Sequence, residues 1–443
     1  MGRGSFALLL RWRRVTNQRV TLLPEVTTWE GMPVPLPPDV DPRWFADRLM
    51  QLTDSAPFTA FRWKRGGLYA GEAVGCVQLG RIRINILPKL DTPEPERDKS
   101  FLLNLLRSAG YLSYLHQGSA EVRAETLDPL EAMVFEVAKE MANALREGHP
   151  RRYEEVREDS PVLRGRIDFA QLSTRLPGSA VIPIRHSPLG VNNHLAQVIK
   201  GIATFLHRIT RSAVNRQRLG MILSTLSPVD NKVVSVAQVD AIVLSRYEMR
   251  WSKTLAVGRL LLSGQSPDPT FGGRNQAFSL LFPMQHLYER ALRNILAAAI
   301  DGSGTSVKSR SEPLFLFVDE EDQSGVVRLR PDYVFIRGGK PIAIADAKWK
   351  RASENGVAHG IKREDFYQIH AYLTRYKVSE AVILVPKAPW MPGVWTKSYR
   401  DADTNAQVHL IGVDVEGLVS RSAKAREASY ELLTQMLGSV LPA

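Results

Sequence analysis

The sequence predicts a multidomain α+β protein with three parts: a β-rich N-terminal domain over residues 1–95, a mainly helical middle domain over 96–265, and an α/β C-terminal domain over 266–443. Three observations predict it. Short β-like runs dominate up to Leu87, apolar residues recur at helical spacing between Ser100 and Leu226, and helices alternate with strands beyond a Gly-, Pro- and Ser-rich stretch at 264–273. A chain of 443 residues with 44% hydrophobic and 23% charged residues has globular composition and enough material for two or three cores.

The formal net charge of +12 predicts a positive surface field that attracts polyanions, although many basic proteins bind nothing anionic. Near the start, Arg3, Arg11, Arg13, Arg14 and Arg19 precede the first acid, Glu25. Cys76 is the only cysteine, which excludes an intrachain disulfide or a cysteine zinc cluster and suits a reducing cytoplasm. Phe6 to Leu10 is too short for a signal segment, and no apolar run approaches the ~18 residues of a membrane span. The expectation is a cytoplasmic protein with no membrane partner.

In the N-terminal domain, β-like runs lie at Arg19–Leu23, Val74–Leu79 and Arg81–Leu87, and Pro42 to Leu52 reads as a helix with Asp41 as N-cap. Arg81, Arg83 and Asn85 alternate with Ile82, Ile84 and Ile86, the pattern of a half-buried strand with one solvated basic face. Leu90 to Glu96 reads as a linker. Helices follow at Ser100–Ser108 and Asp128–Arg146, the second carrying Leu130, Val134, Val137, Met141 and Leu145 at helical spacing. Leu163-Arg164-Gly165-Arg166-Ile167 reads as a basic turn entering a short strand, and Asn192–Ile209 and Arg216–Leu226 as helices. His194 and His207 lack companions at ligand spacing and read as polar-edge residues.

Beyond 264–273 the predicted order is a helix at Pro283–Ile300, a strand at Leu314–Val318, and hairpin strands at Val327–Ile336 and Pro341–Lys348. A helix at Glu364–Lys377, strands at Ala381–Val385 and Val408–Val413, and a helix at Ser422–Leu437 complete it. The hairpin turns on Gly338-Gly339, among the strongest short-range hairpin signals. With these two as the loop, Arg337 faces Lys340, and counting outward brings Asp332 opposite Ala345, one place from Asp346. Asp346 and Lys348 are two apart on a strand and share a face. Two acids and a lysine therefore gather at one end of a sheet. Burying like charges together is costly unless a cation neutralises them, and a divalent metal is the simplest remedy.

Phosphodiester hydrolysis needs an activated water, stabilised transition-state charge and help for the leaving oxygen. One or two Mg²⁺ ions can supply all three through carboxylate and water oxygens. Asp332 and Asp346 are the expected metal ligands, with the Ala347 carbonyl as a third donor and Lys348 to orient or deprotonate water and offset phosphate charge. Glu289, beside the stripe of Tyr288, Leu292, Ile295 and Leu296, could bind the metal directly or through water. Gln368 and Tyr372 share a helical face and could orient a ligand or touch the DNA backbone. Individually these are weak signals: Pro-Asp followed by Asp-x-Lys recurs by chance, and a lone helical Glu is usually solvated. Their co-occurrence in this order favours a nuclease. Glu364, Asp365 and His370 receive no role, and the acidic run Asp319–Asp322 reads as a solvated turn. No G-x-x-x-x-G-K-[ST] sequence occurs, so no nucleotide is expected on this chain.

Pro331-Asp332, Asp346-Ala347-Lys348 and Gln368-Ile369-His370-Ala371-Tyr372 resemble the PD-(D/E)xK nuclease core, which implies a restriction-endonuclease-like C-terminal domain with a mixed sheet flanked by helices. Further motifs resemble the McrC family, the nuclease subunit of McrBC-type modification-dependent restriction systems. They are Val74-Gly75 through Ile84-Asn85-Ile86-Leu87-Pro88-Lys89-Leu90, Leu163-Arg164-Gly165-Arg166, Asn193-His194-Leu195 and Leu287-Tyr288-Glu289, and the likeness runs over residues 70 to 385. The resemblance implies an antiviral-defence endonuclease that cuts double-stranded DNA, methylated cytosine being the expected mark, when assembled with an AAA+ GTPase or ATPase ring. The N-terminal and middle regions would then dock on that ring and stimulate its hydrolysis. Two other classes stand beside it: a non-cleaving adaptor that activates the NTPase, and a general nucleic-acid-binding protein with steep salt dependence and no metal-dependent cutting.

Overall fold

The computed structural model describes residues 25–54, 58–80, 82–112, 129–175, 178, 180–266, 277–309 and 314–442. The predicted run Arg19–Leu23 and the five N-terminal arginines lie outside the described residues. The architecture is mixed α and β, with several sheets among twelve α-helices in the described residues.

A five-stranded sheet opens the molecule, in the order Glu25–Trp29, Ile82–Leu87, Ala73–Leu79, Ala277–Pro283 and Gln265–Ser266. Glu25–Trp29 runs parallel to its neighbour and the other pairs are antiparallel. A side chain at Gly75 would collide with the Leu280 carbonyl, and its φ of 133° lies where other residues are strained, so glycine permits the close approach of Ala277–Pro283. The strand after the Gly- and Pro-rich stretch thus returns to the N-terminal sheet before the chain enters the C-terminal part. The helix Pro42–Thr53 covers this sheet through Phe45 and Leu49, and Asp41 caps it by accepting from the Arg43 and Trp44 amides.

The strand Ile82–Leu87 corrects one expectation. Both of its faces are buried, with Arg83 and Asn85 as inaccessible as the isoleucines. The helix Pro129–Arg146 and the residues around Ile209 cover the face that alternation marks as solvated, and Glu131 meets the Arg83 guanidinium there at 3.2 Å. A partner remote in sequence replaces water.

The middle region is led by the helices Pro129–Arg146, His194–Ile209, Ala213–Thr225 and Ser252–Ser263, and Pro95–Ser108 precedes them, its start reaching back into the predicted linker. Asn193 caps His194–Ile209 by accepting from the Ala196 amide, and its own amide donates to the Pro150 and Gly190 carbonyls. A small antiparallel sheet of Val156–Ser160, Ile182–His186 and Arg166–Ile167 stands beside these helices.

The C-terminal part carries a six-stranded mixed sheet in the order Thr305–Lys308, Tyr333–Arg337, Lys340–Ala347, Glu380–Pro386, Gln407–Val413 and Thr396–Arg400. Lys340–Ala347, Glu380–Pro386 and Gln407–Val413 are parallel to one another, and the helix Arg363–Tyr376 makes the first crossover. One sheet face, with Phe335, Ala345 and Leu384, packs on Met284–Ala299 and Ala423–Val440 in a core continuous with the helical middle region. The other, with Val334, Ile344 and Ile383, packs on Ile369, Tyr372 and Leu373 of Arg363–Tyr376. The predicted single strand Val327–Ile336 is interrupted at Arg330–Asp332. Gly325–Leu329 instead pairs with Leu314–Val318 in a separate ribbon, because Pro331 has no amide to continue a ladder. Among the described residues no helix is long and apolar enough to cross a membrane.

Candidate active site

Gly338 and Gly339 take φ values of 57° and 78°, the two positive dihedrals that a two-residue hairpin turn of this hand requires. Arg337 pairs with Lys340 and Ile336 with Pro341, as counted from the sequence. The register then shifts: Phe335 pairs with Ala343, leaving Ile342 as a bulge, and Tyr333 pairs with Ala345. The expectation that Asp332 faces Ala345 is therefore corrected by one residue. The extra residue brings Asp332 level with Asp346, and Asp332 accepts from the Ala347 amide at 2.8 Å.

Asp346 and Lys348 share a side of the strand, and the Lys348 ammonium stands 2.7 Å from the Asp346 carboxylate. Ile344 of the same strand packs on the Arg363–Tyr376 face, and this helix presents Asp365, Gln368 and Tyr372 to the strand end. The Lys348 ammonium lies 3.3 Å from Asp365 and donates to Gln368 Oε1 at 3.2 Å. Gln368 Nε2 donates to the Tyr372 hydroxyl at 2.6 Å, which donates in turn to the Arg330 carbonyl at 3.0 Å. Asp365, set aside on sequence grounds, thus belongs to the cluster and also pairs with Lys350 at 2.7 Å. His370 points elsewhere, to Asp401.

Glu289 approaches from the opposite face of the sheet. Its carboxylate accepts from Gln285 Nε2 at 2.7 Å, and the same amide nitrogen donates to the Ala347 carbonyl at 2.6 Å. Gln285 Oε1 accepts from the Trp349 amide at 2.7 Å. The Trp349 indole donates to Glu30, the residue after the strand Glu25–Trp29, at 3.1 Å, stacks on Phe101 and meets Tyr288 edge-on. Glu30, Phe101, Trp349 and Lys350 line a cleft of about 630 Å³ between the two sheets.

Electrostatically the cluster is overloaded with acid. Burial, reinforced by the charges of Asp346 and Glu289, pushes the Asp332 carboxyl up; burial also raises Asp346, against the pull of Lys348, and Glu289, against the hydrogen bond from Gln285. Burial opposes the Lys348 charge, but Asp346 and Asp365 outweigh it and hold the ammonium above its usual range. Asp365 goes the other way, because Lys350 and Lys348 overcome its burial. Three carboxyls raised together carry a charge that a hard divalent cation would offset, and carboxylate oxygens are the donors Mg²⁺ prefers. Among the described residues no group of three acidic, histidine or cysteine side chains is placed to hold a metal ion. Mg²⁺ needs no such group, since it keeps several waters and takes one or two carboxylates.

The fold and this cluster define a mixed α+β protein with acids and a lysine gathered at the end of a mixed sheet. Its residues 68–386 match the model of a family described as "McrBC 5-methylcytosine restriction system component", and the chain belongs to that family. No curated protein matches it. Among solved structures it is similar to a chain of the refined half-complex from the tetradecameric assembly of Thermococcus gammatolerans McrB AAA+ hexamers with bound McrC. The TM-score is 0.69 at 15% identity, over 93% of this chain and 100% of that one, which shows a shared fold. A chain of the Thermococcus gammatolerans McrBC complex aligns with 17% identity and a TM-score of 0.48, over 62% of this chain and 88% of that one.

Proposed function

We propose that the chain is the Mg²⁺-dependent endonuclease subunit of a McrBC-like restriction complex, its C-terminal domain a PD-(D/E)xK nuclease that cuts double-stranded DNA when assembled with an AAA+ NTPase ring. The observation that carries the reading is the bulge-set meeting of Asp332, Asp346 and Lys348 at one strand end. Family membership supports the restriction system, and the similar chain solved with McrB AAA+ hexamers supports the ring.

Asp332 and Asp346 would hold the metal, with Glu289 and the Ala347 carbonyl as further candidate donors. A Mg²⁺ ion held there would supply Lewis-acid polarisation of the phosphate and a water of lowered pKa. Lys348, kept as an ammonium, offsets charge on the scissile phosphate and positions the attacking water. Gln368 and Tyr372 fix the Lys348 side chain from the helix behind it. The net charge of +12 favours the polyanionic substrate.

Asp346→Ala in the assembled complex is the test. Loss of several kcal/mol of transition-state stabilisation slows cleavage about 10³-fold or more, while stimulation of the partner's NTP hydrolysis persists. Undiminished cutting sinks the assignment, and a parental chain that stimulates hydrolysis without ever cutting returns the adaptor reading.

A further inference from the structure

We propose that Gln285 is a positioning residue that brackets Lys348, fixing the backbone on both sides of it and the Glu289 carboxylate with a single carboxamide; this rests on the nuclease reading above. Gln285 lies in the first turn of Met284–Ala299. That turn is anchored to the N-terminal sheet, since the strand Ala277–Pro283 runs directly into it and the Met284 amide donates to the Glu72 carbonyl at 3.0 Å.

From this fixed point the side chain makes three directed bonds, to Glu289 at 2.7 Å, to the Ala347 carbonyl at 2.6 Å and from the Trp349 amide at 2.7 Å. They engage both carboxamide heavy atoms, the nitrogen as donor twice and the oxygen as acceptor. Residues 347 and 349 flank Lys348, whose own amide donates to the Leu384 carbonyl at 2.9 Å. The backbone of three consecutive residues is thereby tied around the point from which the Lys348 side chain departs.

Asparagine offers the same chemistry one methylene short. Glutamate keeps the acceptor for Trp349 but sets a negative charge against Glu289 and the Ala347 carbonyl. Methionine fills the volume and makes none of the bonds. An outer group that orients ligating or catalytic residues contributes 10- to 100-fold when removed, and the three bonds of Gln285 all end on groups of this chain beside the cluster.

The test uses the assembled complex with its AAA+ partner, double-stranded DNA and saturating Mg²⁺. Gln285→Met lowers the single-turnover cleavage rate about 10- to 100-fold, while the DNA concentration for half-saturation and the partner's NTP hydrolysis stay at parental values. Hydrogen exchange in the chain without metal gives an independent readout. The Trp349 amide exchanges faster in Gln285→Met and stays protected in Gln285→Glu, which is nonetheless slow in cleavage. Parental cleavage by Gln285→Met, or a deficit confined to half-saturation, overturns the proposal. Asp346→Ala is run alongside: if it is inactive while Gln285→Met cuts normally, the positioning role alone fails, and if Asp346→Ala cuts undiminished, both readings fall.

Discussion

Arg83 in the N-terminal sheet and Asp346 in the C-terminal sheet are both shielded from water, with 0% and 2% of their surfaces exposed, and their surroundings differ in kind. Arg83 donates to Gln78, to the Ile209 carbonyl and to Glu131. The Glu131 carboxylate in turn accepts from Thr210, Asn215 and the Arg211 and Ser212 amides. Burial would raise Glu131, yet these bonds and Arg83 hold it below its ordinary value. Around Asp346 the acids outnumber the lysines, and the carboxyls of Asp332, Asp346 and Glu289 rise. Charge buried to join two parts of the fold is closed by its own partners, whereas the C-terminal cluster holds more acid than its own lysines offset. Perturbed carboxyls of the second kind mark functional sites.

The widest break between the two regions comes from Glu131→Ala. Removing the carboxylate that faces Arg83 destabilises the fold by about 3–5 kcal/mol, read as a lowered denaturation midpoint with cleavage per folded molecule unchanged. A shift under about 1 kcal/mol would mean that the Arg83 network contributes little and that the comparison is wrong.

Glu30 lies between the regions and probes their junction. Burial pushes it from 4.5 up to about 7, against bonds from the Lys89 amide and the Trp349 indole. A carboxyl raised in the fold contributes stability that is fully present below its unfolded value and lost as pH climbs through the folded one. Between about pH 4.5 and 7 the protein should therefore lose about 3 kcal/mol through this group. Glu30→Gln keeps an acceptor for both donors and should remove this share of the slope in melting curves from pH 5 to 8, leaving the share of the raised Asp332, Asp346 and Glu289 carboxyls. An unchanged slope would show that Glu30 does not titrate across this window.

The acid-rich cluster should respond to metal where the closed one does not. At pH 8, Mg²⁺ at about a hundred times its dissociation constant adds about 2.7 kcal/mol to stability, and Asp332→Asn abolishes that increment. A variant that retains the full Mg²⁺ shift would place the metal elsewhere.

These contrasts were unevenly legible in the sequence. Asp332, Asp346 and Lys348 could be brought together because Gly338-Gly339 fixes where the hairpin turns, a local property. The bulge at Ile342 could not, since it sits in an apolar run in which any register buries comparable side chains. Asp365 precedes Gln368 by three residues and Gln285 precedes Glu289 by four, so helical spacing held a signal for both. Asp365 receives no role from the sequence because helical phase turns it only partly towards Gln368, and Gln285 carries no ionisable group to single it out. The alternation around Arg83 looks like a solvated face since its partner, Glu131, is 48 residues away. The strands Thr305–Lys308 and Thr396–Arg400 are short, polar sheet edges with little apolar pattern to betray them.

The smallest expected effect concerns the tether behind Lys348. The Tyr372 hydroxyl lies between the Arg330 carbonyl and Gln368, and Gln368 alone continues the chain to the Lys348 ammonium. Tyr372→Phe removes the middle link but leaves the ring in its core. Lys348 keeps Asp346 and Asp365, so the loss is one hydrogen bond's worth, about 1 kcal/mol, or roughly fivefold in cleavage rate. Gln368→Ala should match it, and the double variant should fall no further than either single one, since both cut the same link. A fall for Tyr372→Phe as large as that of Asp346→Ala would instead place the hydroxyl on the DNA itself. The tether would then be a direct contact in the chemistry rather than a support for Lys348.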